Sequence, residues 1–421
     1  MRACILALLC SLPLAAGSDD TFLLRGATIH PVSGPDVPNG ALLVRDGKIV
    51  EIGLKLAAPK GVRIIEAKGL HVYPGIIDSA TEIGLAEISS VRETVDTDEI
   101  GDFNPQLRAI IAVNPASEHI PVTRANGITT VITAPGGGVI SGQAALIHLD
   151  GWTWQEMELR APASMVLQFP AIQAGGFRFS EARTRTPYAE TKRNYERRLQ
   201  QLREFFEQAR RYQRAKQNGA PGFEPDLKME AMLPVLEGKL PLVAVAERER
   251  VIKEALAFAE KEKVRLVLAQ AREAWKLAAE LKAKNVAVIL GPTLAMPREE
   301  DEPYDKAYTL PAELHKAGVK FAMASFSNSF SRNLPYQAAM AVAFGLPPAE
   351  AIKALTLYPA EIWGVGDQVG SIDPGKWADL MVTDGDPLET RTQVKQLFIK
   401  GKAVDLDNKH RRLYEKYMKR P

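Results

Sequence analysis

Cysteine is almost missing from this chain of 421 residues: there are two, Cys4 and Cys10, both close to the start. The segment that holds them reads as an export signal, with Arg2, an apolar run from Ala3 to Leu12, Pro13, and the small residues Ala15-Ala16-Gly17 ahead of Ser18. The apolar run is shorter than the ~20 residues a membrane-spanning helix needs, so cleavage near Ser18 is expected rather than a stable membrane anchor. A lipid-bearing Cys10 fits less well, because Leu9 stands where a small residue should precede it. Removal of residues 1–17 leaves an exported protein, periplasmic or secreted, with no thiol, no disulfide and no cysteine metal ligand. A bias of charge is missing too: 53 Lys and Arg against 51 Asp and Glu give a formal net charge of +2, and no nucleic-acid partner is expected. No internal repeat, low-complexity tract or Gly-x-Ser-x-Gly elbow is found. Without a thiol or a well-placed histidine, a Ser-His or Cys-His nucleophile is hard to assemble.

What is present has two rhythms. Short alternating strands open the chain in Phe22-Leu23-Leu24-Arg25 and in Ala41-Leu42-Leu43-Val44, the latter running into Asp46-Gly47, a strong hairpin signal. They return late in Leu380-Met381-Val382 and in Gln396-Leu397-Phe398-Ile399 before Lys400-Gly401. Between about residues 76 and 366, apolar runs alternate with amphipathic helical stretches, which predicts a parallel sheet wrapped by helices. The longest helix is expected from Tyr188 to Gln217, with Tyr195, Leu199, Leu202, Phe206, Ala209 and Tyr212 on one face. The division that follows is 18–75 with 367–408 as a composite β-domain, 76–366 as the helical middle, and 409–421 as a basic tail. That tail holds Arg411, Arg412, Lys416, Lys419 and Arg420; such a terminus is more often frayed than placed near anionic lipid.

Three stretches resemble the amidohydrolase superfamily, above all its imidazolonepropionase-like and dihydroorotase-like members. They are Gly26-Ala27-Thr28-Ile29 with Val44-Arg45-Asp46-Gly47-Lys48-Ile49-Val50-Glu51-Ile52-Gly53, then Tyr73-Pro74-Gly75-Ile76-Ile77-Asp78, and finally Ala354 to Ala360 with Gly370-Ser371-Ile372-Asp373-Pro374-Gly375-Lys376-Trp377-Ala378-Asp379-Leu380. The resemblance covers nearly the whole chain after residue 17. It implies an α/β fold, a (β/α)8 TIM barrel with a small β-sandwich domain formed by N- and C-terminal segments. It also implies hydrolysis of non-peptide C–N bonds in cyclic amides or related small molecules, using one or two divalent metals. In the family a His-x-His pair follows the Pro-Gly-x-Ile-Asp motif, a carboxylated Lys or a Glu lies near strand 4, histidines end strands 5 and 6, and an Asp ends strand 8. These groups lower the pKa of a metal-bound water and relay its proton. Here Ala80 and Glu82 stand at the two first histidines, Val245 at the strand 5 position, Ala269-Gln270-Ala271 at strand 6, and Ala324 at strand 8.

The six histidines give no substitute set. His30 and His71 fall in the β-domain or its exit, His315 in a helical stretch, and His410 in the basic tail, while His119 and His148 read as structural. No metal site and no cofactor are therefore expected. The acids Glu82, Glu87, Glu93, Asp96, Asp98, Glu99 and Asp102 crowd the segment after strand 1, where a hard ion held by oxygens would need them to converge; a solvated loop partly balanced by Arg92 is the simpler expectation. Candidate ligand-binding residues are Glu82, Arg92, Asp96, Arg332 and Asn333, the last two because they follow strand 8, where barrels place substrate contacts. Gly136-Gly137-Gly138 is taken as a barrel loop rather than an anion cradle at a helix start, and Trp152-Thr153-Trp154 as core or lid packing. Two functions fit: an exported hydrolase with an altered metal site or none, and a metal-free pseudoenzyme whose barrel mouth binds a small molecule or a protein. A small-molecule ligand is the expected partner in either case, and an oligomer is possible.

Overall fold

The computed structural model describes residues 20–172, 188–219, 221–297 and 302–420; residues 1–17, read above as an export signal, lie outside them. The first strands are β1 (Phe22–Ile29), β2 (Val37–Arg45), β3 (Lys48–Gly53), β4 (Arg63–Glu66) and β5 (His71–Pro74). Asp46 and Gly47 join β2 to β3 with φ of 50° and 75°, the two left-handed positions a tight hairpin needs. The late strands are β14 (Leu380–Thr383), β15 (Val394–Ile399) and β16 (Lys402–Val404). A second left-handed pair, Lys400 and Gly401, turns β15 into β16. The two turns touch: a Cβ on Gly47 would meet the Lys400 carbonyl at 2.5 Å, so glycine is required by contact as well as by φ.

The eight strands form one sheet in the order β16-β15-β14-β5-β1-β2-β3, with β4 beside β1. β14, from the far end of the chain, pairs antiparallel with β5, Thr383 opposite His71. The sheet curls over itself, because the rings of Phe22 on β1 and Phe398 on β15 stack at 4.7 Å although β14 and β5 stand between those strands. The space enclosed is filled by Leu24, Ile29, Leu42, Val44, Val72, Leu380 and Val382. Each such side chain contributes roughly 2 kcal/mol of hydrophobic stabilisation.

The middle of the chain supplies β6 (Ile76–Thr81), β7 (Ile128–Thr133), β8 (Ile140–His148), β9 (Glu158–Gln168), β10 (Leu242–Val245), β11 (Leu266–Ala269), β12 (Ala287–Leu290) and β13 (Phe321–Met323). They are neighbours in sequence order and form a nearly closed barrel with helices outside. The ring is drawn together between β13 and β6 by single bonds: Phe326 N–H donates to the Ala80 carbonyl at 2.9 Å. One strand departs from the expected parallel sheet. β8 runs antiparallel to both β7 and β9, because the connection from Thr133 to Ile140 is far shorter than the dozen or so residues a parallel crossover needs. The glycine-rich stretch is thus a hairpin loop, followed by a strand and not by a helix.

Two apolar layers result. Outside the sheet, helices such as Tyr188–Gln217 and Glu249–Glu262 pack on it. The first has the bounds its periodicity predicts, with Tyr195, Leu202, Phe206 and Ala209 buried, and Phe205 as well. Inside, Ile77, Ile132, Leu146, Val166, Val243, Val267, Ile289 and Ala322 fill the barrel, closed below by Ile362, Trp363 and Val365.

Candidate active site at the barrel mouth

The ends of the barrel strands carry the chemistry in such folds, and here they are mostly apolar. Ala269 and Ala324 belong to the apolar cluster that fills the barrel interior, and the partly buried Ala80, Val245, Ala134 and Phe326 pack against it. Ala269 and Ala324 are 3% and 0% exposed. The side chains of Ala80, Val245, Ala269 and Ala324 have no donor atom. Among the described residues no three His, Cys, Asp or Glu side chains converge in a way that could hold a metal ion. The residues present therefore do not fit the family's metal pair.

Two carboxyls belong to β6 or directly follow it. Asp78, from the Pro-Gly-x-Ile-Asp motif, is fully buried. Its Oδ1 accepts the Ser325 N–H at 3.0 Å and the Ala80 N–H at 3.4 Å, and its Oδ2 accepts the Ser331 hydroxyl at 2.7 Å. Burial pushes its pKa up to about 6 against the opposing pull of those hydrogen bonds. It pins β6 to the segment after β13 and is closed to solvent. Glu82 follows β6 at the position of the second family histidine. Its side chain opens to solvent, yet the surrounding protein raises its pKa by desolvation, and no described residue pairs with its carboxylate.

The mouth also holds a cavity of about 370 Å³ at the ends of β10 to β13, lined among others by Glu247, Gln270, Arg272, Thr293, Glu302 and Phe326. Its volume suits a small ligand. Three consecutive strand ends on its wall depart from ordinary backbone: Gln270 and Phe326 are left-handed at φ 56° and 49°, and Gly291 stands at 129°. A Cβ on Gly291 would lie 2.0 Å from the Ala324 carbonyl. Non-glycine residues held in this region cost of order 1–3 kcal/mol each and gather at ligand sites. The Arg272 guanidinium donates to both Glu302 oxygens, at 2.7 and 2.9 Å, and Thr293 is held by Gln337 through two bonds. A larger cavity of about 700 Å³ lies at the other end of the barrel, beside Lys263, Arg265 and Lys320, away from the face where barrels carry out chemistry.

The candidates read from the sequence do not meet in one place. Glu82 is at the mouth. Arg92 and Asp96 lie on the exposed loop after β6, Arg92 approaching Asp98 at only 4.0 Å; this loop packs on the glycine hairpin, with the Gly136 N–H donating to the Thr97 carbonyl. The acids from Glu93 to Asp102 are solvent-facing or nearly so, so they supply no oxygen cage. Arg332 and Asn333 turn away from the cavity: the Arg332 carbonyl accepts from Asn126, which precedes β7 and so lies at the opposite end of that strand from the mouth. Of the two tryptophans read as core or lid packing, Trp154 packs against the core, whereas Trp152 is 91% exposed on the turn that leads out of β8.

Four of the six histidines make structural contacts. His148 is buried with Nε2 2.8 Å from Asp379, and His119 Nε2 lies 2.9 Å from the Glu87 carbonyl. His30 faces His71 at 3.0 Å and Asp36 at 2.9 Å. The cavity residues Glu247, Gln270, Arg272 and Glu302 were not singled out from the sequence. The one sequence signal for the first two is position, each directly following an apolar strand run; the left-handed φ of Gln270 has no signature in its residue type.

The amidohydrolase family model matches residues 123–404, which span β7 to β16. This chain belongs to the amidohydrolase family. Within it, the chain is 26% identical over 404 residues to "Amidohydrolase tasK" of Hapsidospora irregularis, a match that takes in 86% of this chain and 40% of that protein. The chain thus spans well under half the length of this curated relative. A dihydroorotase of Citrifermentans bemidjiense is 47% identical over 53 residues, 13% of this chain and 12% of the relative. Among solved structures, an amidohydrolase from Thermotoga maritima superposes with a TM-score of 0.78 at 28% identity, covering 91% of this chain and 99% of that one. Family membership supports a hydrolase function.

Proposed function

We propose that this amidohydrolase-family chain is an exported protein that binds a small polar molecule in the cavity at the ends of β10 to β13, without the family's metal-activated water. The observation that carries this reading is the apolar cluster that holds Ala269 and Ala324 and against which Ala80 and Val245 pack. Ala80, Val245 and Ala324 offer no lone pair where the family resemblance puts ligands, and Glu82 and Gln270 are the remaining polar side chains at those positions. The wall of Gln270, Arg272 and Glu302 offers polar groups to an amide, imide or related ring, and the export reading rests on residues 1–17. The deciding measurement is metal content by elemental analysis after incubation with zinc, manganese or calcium and removal of free ion. Stoichiometry near zero supports the reading; about one ion per chain overturns it. In parallel, thermal shift against a panel of cyclic amides and imides should find a ligand whose effect is lost in Gln270→Ala.

A second reading, hydrolysis of a non-peptide C–N bond without metal, is favoured by Glu82. An unpaired carboxylate at the mouth with a raised pKa is suited to taking a proton from water. Under that reading Glu82→Gln abolishes turnover of whichever panel compound is cleaved, while the metal content stays unchanged.

A further inference from the structure

The basic segment near residue 421 is ordered as a helix, Lys409–Met418, and its start is fixed. The Asn408 side chain accepts from the His410 and Arg411 N–H groups, the favoured N-cap arrangement. Arg412 reaches Asp407 at 3.0 Å and Glu118 at 3.5 Å. Beyond that tether the helix is uncovered: every residue from Lys409 to Arg420 is exposed. With 3.6 residues per turn, Leu413, Tyr414, Tyr417 and Met418 fall on one side, at exposures of 37%, 65%, 48% and 66%. Lys409, Arg411, Lys416, Lys419 and Arg420 occupy the margins and the remaining surface, with Glu415 the only acid in this stretch. Arg420 lies over the Tyr417 ring at 4.5 Å.

A contiguous apolar face on a monomer marks something that covers it. The cover must tolerate an edge of closely spaced cations around two tyrosines and a methionine. An identical helix from a second copy would bring like charges together, whereas the headgroup region of an anionic bilayer accepts both parts: apolar and aromatic side chains at the acyl boundary, and long cationic side chains reaching back to the phosphates. We propose that the helix Lys409–Met418 docks this protein reversibly on an anionic phospholipid surface. The helix is 10 residues long, about 15 Å, so it lies in the interface and does not cross it.

The test is co-sedimentation of the full chain with phosphatidylcholine vesicles and with vesicles containing phosphatidylglycerol, comparing wild type with helix variants so that any contribution of residues 1–17 is common to all. The expected result is binding to the anionic vesicles only, falling as salt rises. Binding should be roughly tenfold weaker in Arg411→Glu/Lys416→Glu and at least as weak in Tyr414→Ser/Met418→Ser. All four positions are exposed, and unchanged thermal unfolding would confirm that the fold is intact. Three results would overturn the proposal: equal binding to neutral vesicles, no difference between wild type and both variants, or a dimer in sedimentation equilibrium that the same substitutions dissociate. None of these bears on the barrel cavity, so the outcome is separable from the metal and ligand measurements above.

Discussion

A carboxyl that water does not reach, such as Asp78, is easier to keep protonated than to ionise. Its folded pKa of about 6 lies above the ordinary carboxylate value of 3.8, so the folded state binds its proton more tightly than the unfolded state. The stability this provides is complete below pH 3.8 and is lost as pH rises through about 6, a difference of roughly 3 kcal/mol. Asp78→Asn should keep the bonds from Ser325 and Ala80 and lose that slope; urea unfolding midpoints between pH 4 and 7 would check it, since wild type should fall across this range relative to the variant. Asp78 was legible as part of a motif. Its partners Ser325 and Ser331 were not, because the contact joins residues about 250 positions apart and serine carries no periodic signal. Ala80 was legible from its spacing after the Pro-Gly-x-Ile-Asp motif, whereas the packing of Ala80 and Val245 against the cluster that holds Ala269 and Ala324 joins residues far apart in sequence and has no local signal.

At the scale of elements, the strands and the long helix followed from periodicity, and the reversal of β8 did not. Its sequence, ISGQAALIH, is buried at all but one position, as a parallel core strand would be. Only the short glycine-rich link before it excludes a crossover. The close approach of β12 to β13 is equally silent in composition. Gly291→Ala would force a Cβ into the Ala324 carbonyl at a φ that disfavours it. A loss of at least ~2 kcal/mol is expected, measurable by denaturant unfolding, along with loss of any ligand the cavity holds. A similar substitution at Gly61, where nothing lies within 4 Å, meets only the φ penalty and serves as the control.

Across the whole molecule, the barrel and the β-domain are joined by a buried pair. His148 on β8 and Asp379 before β14 are 0% and 4% exposed at their side chains, and Asp379 also accepts the Lys400 N–H at 2.8 Å. Asp379→Ala leaves a buried histidine nitrogen without its partner and should cost about 1–3 kcal/mol. Calorimetry would then show the β-domain melting before the barrel, where wild type shows one transition. The placement of β14 between β5 and β15 carries a consequence for biosynthesis. The opening strands emerge first, but the strand that seals their edge is encoded roughly 300 residues later. Until it arrives, β5 presents unsatisfied backbone groups to any chain nearby. A ribosome releasing this chain therefore delivers a sticky half-domain first, and a truncated product that stops before residue 380 would keep that edge open for good.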